Sequence, residues 1–143
     1  MRTAIFSLAI SLVLLAPAQA EVRAVVVGVS DVMTPLRPRI LVLRVSDGSE
    51  VARIWDGSES GLEVCGFAPL ADDARLLMTH ERGGFRRPFL WNIEDDERIE
   101  LPIDLNGEVW ARWYPDGSAL LLAHTERGRM RLYRYPIAAG ILE

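Results

Sequence analysis

Apolar residues along this chain fall into short runs rich in Val, Ile, Leu, Tyr and Trp, broken by Gly, Pro, Asp and Ser. The pattern predicts extended strands at Val22 to Val29, Ile40 to Val45, Val51 to Trp55, Leu62 to Phe67, Arg75 to His80, Pro88 to Ile93 and Arg98 to Leu101. Three more follow at Glu108 to Tyr114, Ser118 to His124 and Met130 to Tyr135. Strands at a spacing of roughly 8–12 residues, with no amphipathic helix between them, define an all-β architecture. The connections agree. Ser46-Asp47-Gly48-Ser49 and Pro115-Asp116-Gly117 place Gly where tight turns need positive φ, and Glu81-Arg82-Gly83-Gly84 and Arg127-Gly128 do so between strand pairs.

The pattern also repeats. Gly66-Phe67-Ala68-Pro69, Ala74 to Gly83 and Pro88 to Ile93 form one unit; Arg112-Trp113-Tyr114-Pro115, Ala119 to Gly128 and Arg131 to Ile137 form the next. Pro69 and Pro115 lie 46 apart, and Gly83 and Gly128 lie 45 apart. A period of about 45 with several strands per unit marks β-propeller blades, four-stranded sheets arranged radially. The expected fold is therefore an incomplete β-propeller of about two and a half four-stranded antiparallel blades. Its parts are residues 22–55 of one blade, a blade at 62–101 and an incomplete blade at 108–143. The positions expected to carry the repeat structurally are Trp113, Pro115, Asp116, Gly117, Pro69 and Trp91. In the Trp-Tyr-Pro-Asp-Gly-Ser segment the aromatic ends the inner strand and packs between blades. Pro-Asp-Gly then reverses the chain, and Ala119 to Ala123 returns as a strand buried on both faces.

Composition narrows the function. The chain has 143 residues, 50% of them hydrophobic, and a net charge of -4, with all of its 16 basic residues Arg. That acidic balance argues against a nucleic-acid or anionic-membrane surface. Met1-Arg2-Thr3, the uncharged run Ala4 to Leu15 and the small-residue stretch Ala16 to Ala20 have the order of a signal peptide. Residues 1–20 are thus expected to be a leader, leaving 21–143 as an exported (periplasmic or extracellular) mature chain without stable membrane insertion. The alternative is a buried strand, with a cytoplasmic chain.

The segment Glu108-Val109-Trp110-Ala111-Arg112-Trp113-Tyr114-Pro115-Asp116-Gly117-Ser118-Ala119-Leu120-Leu121-Leu122 resembles the N-terminal propeller of bacterial prolyl oligopeptidase family serine peptidases. So do Ile54 to Gly57, Leu76 to Arg82 and His124 to Tyr135, and the Trp-x-Pro-Asp-Gly element is shared with TolB-like propellers. In the peptidases a complete propeller caps a C-terminal hydrolase domain and restricts access to it, and the catalytic residues belong to that domain. The resemblance therefore implies a non-catalytic, substrate-gating type of propeller, in truncated or remnant form, with no catalytic residue on this chain. The other reading is an exported TolB-like interaction module that completes its ring by oligomerising through open blade edges or with a protein or peptide partner.

Other chemistry finds little support. Gly57-Ser58-Glu59-Ser60-Gly61 has Glu where a nucleophile elbow needs Ser, and it lies in a polar inter-blade connection. Cys65 has no partner cysteine and no local base. His80 and His124 end equivalent strands, which suits hairpin capping better than metal ligation. Glu94-Asp95-Asp96-Glu97 reads as a solvated turn, and Arg82, Arg86, Arg87 with Arg127, Arg129, Arg131 as hairpin flanks pairing with nearby acids. No cofactor or metal is expected, and no phosphate-binding glycine loop precedes a helix.

Overall fold

The computed structural model describes the backbone of residues 23–28 and residues 39–57 and 60–143. The expected leader, residues 1–20, lies outside the described residues.

Ten strands form in chain order: β1 Arg23–Gly28, β2 Arg39–Arg44, β3 Glu50–Ile54, β4 Leu62–Phe67, β5 Arg75–His80, β6 Arg87–Asn92, β7 Glu97–Glu100, β8 Glu108–Trp113, β9 Ala119–Glu126 and β10 Arg129–Pro136. No helix occurs among the described residues. Each strand pairs antiparallel with its sequence neighbour, giving a first sheet β1-β2-β3, a second β4-β5-β6-β7 and a third β10-β9-β8.

Strand alternation explains how the sheets stack. In β5, Leu76 and Met78 point to one face and Leu77 to the other; in β6, Phe89 and Trp91 oppose Leu90. Leu76, Met78, Phe89 and Trp91 join Ile40, Val42 and Ile54 of the first sheet in one core. Leu77 and Leu90 join Val109, Ala111, Leu120, Leu122 and Tyr135 of the third sheet in another. The second sheet is thus covered on both faces. Each buried Val, Leu, Ile, Met or Phe side chain among these contributes roughly 1.5–3 kcal/mol of transfer free energy.

The third sheet departs from expectation. The sequence predicts burial of Ala119 to Ala123 on both faces, but Leu121 is 39% exposed while Leu120 and Leu122 are wholly buried. Among the described residues no further sheet stacks on that outer face. The same sheet has the beginning of a fourth strand: Arg134 and Glu143 exchange backbone N–H···O bonds of 3.1 and 2.8 Å. This pair matches the Leu90–Ile99 pair of β6 and β7 after a shift of 44 residues (134 − 90, 143 − 99).

The repeat is therefore regular, with two local insertions. Ile93 N–H bonds to the Ala74 carbonyl and Ile137 N–H to that of Ser118, again 44 apart (137 − 93, 118 − 74). Upstream the spacing widens. Phe67 and Trp113, which face Leu76 and Leu120, are 46 apart, because the first turn is two residues longer. Leu62 and Val109, which face His80 and His124, are 47 apart, because a bulge at Cys65 puts one extra residue into β4. Gly66 meets the backbone demand of that bulge at φ 141°.

The hairpin equivalence read from Arg82-Gly83 and Arg127-Gly128 is off by one. Gly84 (φ 78°) matches Gly128 (φ 75°), and Arg127 itself sits at φ 49° in a two-residue turn. Both central residues at positive φ make this a type I′ hairpin.

Candidate functional site

The first strands of adjoining sheets, β4 and β8, run beside each other, and each has a ladder partner on one side only. Between them lies a cavity of about 260 Å³ lined by Glu63, Val64, Cys65, Trp110, Ala111, Arg112, Leu121 and Ala123. Arg86, from the β5–β6 hairpin, lays its guanidinium 3.6 Å from the Trp110 ring centroid. The same guanidinium pairs with Glu63 at 3.4 Å and Glu81 at 3.3 Å, while Arg86 N–H donates to the Glu108 carboxylate at 2.9 Å. The cation is thereby fixed flat on a half-exposed indole. Such a rim offers an aromatic platform, paired charges and two strand edges without a ladder partner among the described residues, although Val109 N–H already bonds to the Arg86 carbonyl and Trp113 Nε1–H to the Gly66 carbonyl.

Cys65 projects from the bulge towards the third sheet and packs against its core. Burial pushes its thiol pKa up to about 12, and Glu63 adds to the rise. A thiol so raised is protonated at neutral pH and is a poor nucleophile.

The turn residues singled out in the sequence fall at one end of the sheets. Tyr114 to Gly117 form a β-turn closed by a Gly117 N–H bond to the Tyr114 carbonyl at 3.0 Å, with Pro115 and Asp116 central. The Asp116 carboxylate accepts from Ser118 N–H and hydroxyl at 3.0 and 2.8 Å, and these bonds hold its pKa below the ordinary value. Gly117 stands against Pro69 and Leu70 of the preceding repeat, so the two turns pack together. Trp113 donates from Nε1 to the Gly66 carbonyl at 3.2 Å and lies under the Arg75 guanidinium, bridging the second and third sheets. Trp91 is elsewhere: it is fully buried in the first core and donates to Asp96 Oδ1 at 2.8 Å.

Asp96 therefore has a role the acidic run did not reveal, as acceptor for a buried indole. Ser60 is buried as well, and its hydroxyl accepts from Glu81 N–H at 3.3 Å, so it is more than a polar spacer. His80 accepts at Nδ1 from Arg82 N–H at 3.2 Å and lies 3.0 Å from Glu100 through Nε2. His124 instead turns Nε2 to the Asn106 carbonyl, and its buried Nδ1 has no hydrogen-bond partner among the described residues. No group of three metal-ligating side chains converges among the described residues. Arg82 pairs with Asp56 and Glu100, while Arg87 donates to the carbonyls of Leu105 and Gly107. For Arg127, Arg129 and Arg131 no ion pair forms among the described residues; they line a surface cavity of about 350 Å³ with His124 and Glu126.

Antiparallel sheets stacked face on face in an open arc define the class: an incomplete β-propeller. No protein-family model and no curated protein matches the chain. Among solved structures, the crystal structure of TolB from Acinetobacter baumannii is similar, with a TM-score of 0.63 at 21% identity. The match covers 85% of this chain and 28% of the TolB chain, so this chain spans under a third of that protein's length. The fold is TolB-like.

Proposed function

We propose that this protein is a non-catalytic propeller module that binds a protein or peptide segment along the rim between β4 and β8. The observation that carries the reading is the Arg86–Trp110 stack, pinned by Glu63 and Glu81 beside two strand edges that have no ladder partner among the described residues. Strand edges supply backbone bonds to any extended chain, and the stack with its acids supplies selectivity for a peptide carrying an aromatic or basic side chain.

The finer kinship is with the gating propeller of prolyl oligopeptidase family peptidases, a reading supported by the phrasing of Glu108 to Leu122. In that role the rim contacts peptides without cleaving them. Trp113, Pro115, Asp116, Gly117, Pro69 and Trp91 then serve as repeat-defining structural positions. Export follows from the order of residues 1–20, and N-terminal sequencing of the secreted chain is expected to begin at Glu21.

Panning random dodecapeptides displayed on phage against the full chain tests the rim. Enriched peptides should bind at least tenfold more weakly, about 1.4 kcal/mol, to Arg86→Ala and Glu63→Lys. Equal binding to both folded variants, or no enrichment over bare support, would refute the rim assignment. A fluorophosphonate probe is expected to label no serine.

A further inference from the structure

The hairpin end of the third sheet is charged differently from the same end of the second. In the second sheet His80 and Arg82 meet Glu100, Arg82 also meets Asp56, and Arg87 donates to connector carbonyls, so the cations are answered within the chain. Shifted by 44 residues, His80, Arg82, Gly83, Phe85 and Arg87 become His124, Glu126, Arg127, Arg129 and Arg131. Arg131 repeats Arg87 in place. Arg127 and Arg129 stand where the second sheet has glycine and phenylalanine, so the blade pattern does not require them.

Register sets His124 opposite Arg131 and Glu126 opposite Arg129, so these four share one face of the β9–β10 hairpin. With Arg127 from the turn they line the cavity of about 350 Å³. The three guanidiniums have no ion pair or side-chain hydrogen bond among the described residues. At the wall of the same cavity His124 is 4% exposed, and its Nδ1 is the one buried side-chain polar atom without a hydrogen-bond partner among the described residues. Its Nε2 faces the Asn106 carbonyl, so the neutral ring holds its proton there and Nδ1 is a bare lone pair. Arg127 sits at φ 49°, a conformation unfavourable for side chains other than glycine, and the chain keeps an arginine at that place.

We propose that this cavity binds the phosphate group of a small phosphate monoester. Three guanidiniums against the Glu126 carboxylate leave two positive charges, which a monoester dianion neutralises at neutral pH. Planar guanidinium forks match phosphate oxygens two at a time, which a point charge does not. The unsatisfied polar wall at His124 favours an ester that carries hydroxyls over an apolar one. The cavity has the volume of a small-molecule site, and the net charge of -4 works against a polyanion. It shares no lining residue with the β4–β8 cavity, so the proposal does not rest on the rim reading.

Isothermal titration calorimetry of the full chain at low ionic strength is expected to show glycerol 3-phosphate filling one site per chain with a Kd below about 1 mM. Arg127→Gly combined with Arg129→Phe puts the second sheet's residues into the hairpin and should weaken binding at least about tenfold. Both arginines are exposed and glycine suits the φ at 127, so the double variant keeps the wild-type circular dichroism. Arg53→Ala, which removes a positive charge from the first sheet, should leave the affinity unchanged. Inorganic phosphate should bind several-fold more weakly than the ester; if it binds as tightly, the site takes free phosphate and the ester assignment fails. Absence of saturable binding below about 10 mM, acetate binding as tightly as the ester, or wild-type affinity in the double variant would each overturn the proposal.

Discussion

Arg87 ties the connector between the second and third sheets to the strand it leaves behind. Its guanidinium donates to the Leu105 carbonyl at 2.7 Å, to the Arg86 carbonyl at 2.9 Å and to the Gly107 carbonyl. Replacing Arg87 by Ala leaves the two connector carbonyls without that donor. A hydrogen bond to a charged group contributes about 1.5–3 kcal/mol, and water reaches this partly exposed site, so the pair together is worth about 2–3 kcal/mol. For a chain of this size, that corresponds to a fall in Tm of about 6–15 °C. Arg87→Lys keeps the charge but loses the fork that spans two carbonyls, and should recover about half of the loss. The repeat supplies an internal control. Arg131 occupies the equivalent place 44 residues on, is exposed, and has no carbonyl clamp among the described residues. Arg131→Ala is expected to change stability by less than about 0.5 kcal/mol. Urea unfolding followed by circular dichroism measures all three. Equal effects of Arg87→Ala and Arg131→Ala, or an Arg87→Ala loss below about 0.5 kcal/mol, would refute the clamp.

Gly107→Ala should cost about 3 kcal/mol or more, because a Cβ there would stand 2.5 Å from the Thr125 carbonyl oxygen at φ 90°, whereas Gly48→Ala, with open space around it at φ 72°, should cost about 1 kcal/mol; chemical denaturation compares them. Burial raises the Asp56 carboxyl, but bonds from Arg82 and Ser60 outweigh it and hold the pKa below the ordinary 3.8; burial likewise opposes, and Arg75 overcomes, at Asp73. Both groups titrate lower folded than unfolded, so their stabilisation is complete above about pH 4 and is lost as pH falls through the folded values. Acid titration of unfolding should show that decline, and Asp56→Asn should flatten part of it. Cys65, with its pKa pushed up to about 12, should react with iodoacetamide at pH 8 at least about tenfold more slowly than glutathione, and become reactive on unfolding in urea.

The strands and the repeat were readable because both depend on local pattern. β4 and β5 fall on their expected residues, and the other described strands shift by a residue or two at their ends. The phase of the repeat was harder to read. Arg-Gly occurs in both hairpins, but backbone geometry sets equivalence by which residue adopts positive φ, and that is Gly84 rather than Gly83. The bulge at Cys65 and the longer turn before Arg75 change the spacing from 47 to 44 within one unit, so one offset could not describe it. The rim was invisible for a different reason. Arg86 and Trp110 meet only because a hairpin of one sheet overhangs the first strand of the next, and no periodicity records that contact. Asp96 was read as solvated because its run is exposed, and its bond to Trp91 depends on the φ of 58° that turns it back over β6.

The exposed and buried faces of β5 and β9 show how one pattern produces two outcomes. Both strands alternate apolar residues on both sides: Leu76, Leu77 and Met78 in one, Leu120, Leu121 and Leu122 in the other. In a two-layer fold such a strand wastes one face, since half-covered sheets place polar residues outward. A blade stack requires it, because each middle strand is squeezed between two neighbours. β9 thus has the composition of an interior strand, while its outer side meets no sheet among the described residues. The side-chain pattern of Leu121, Ala123 and Leu132 is accounted for by a covering layer and by nothing in the third sheet's own hydrogen bonding. That mismatch between what the strand is composed to do and what its neighbours supply marks its outer face as one composed to be covered by another layer.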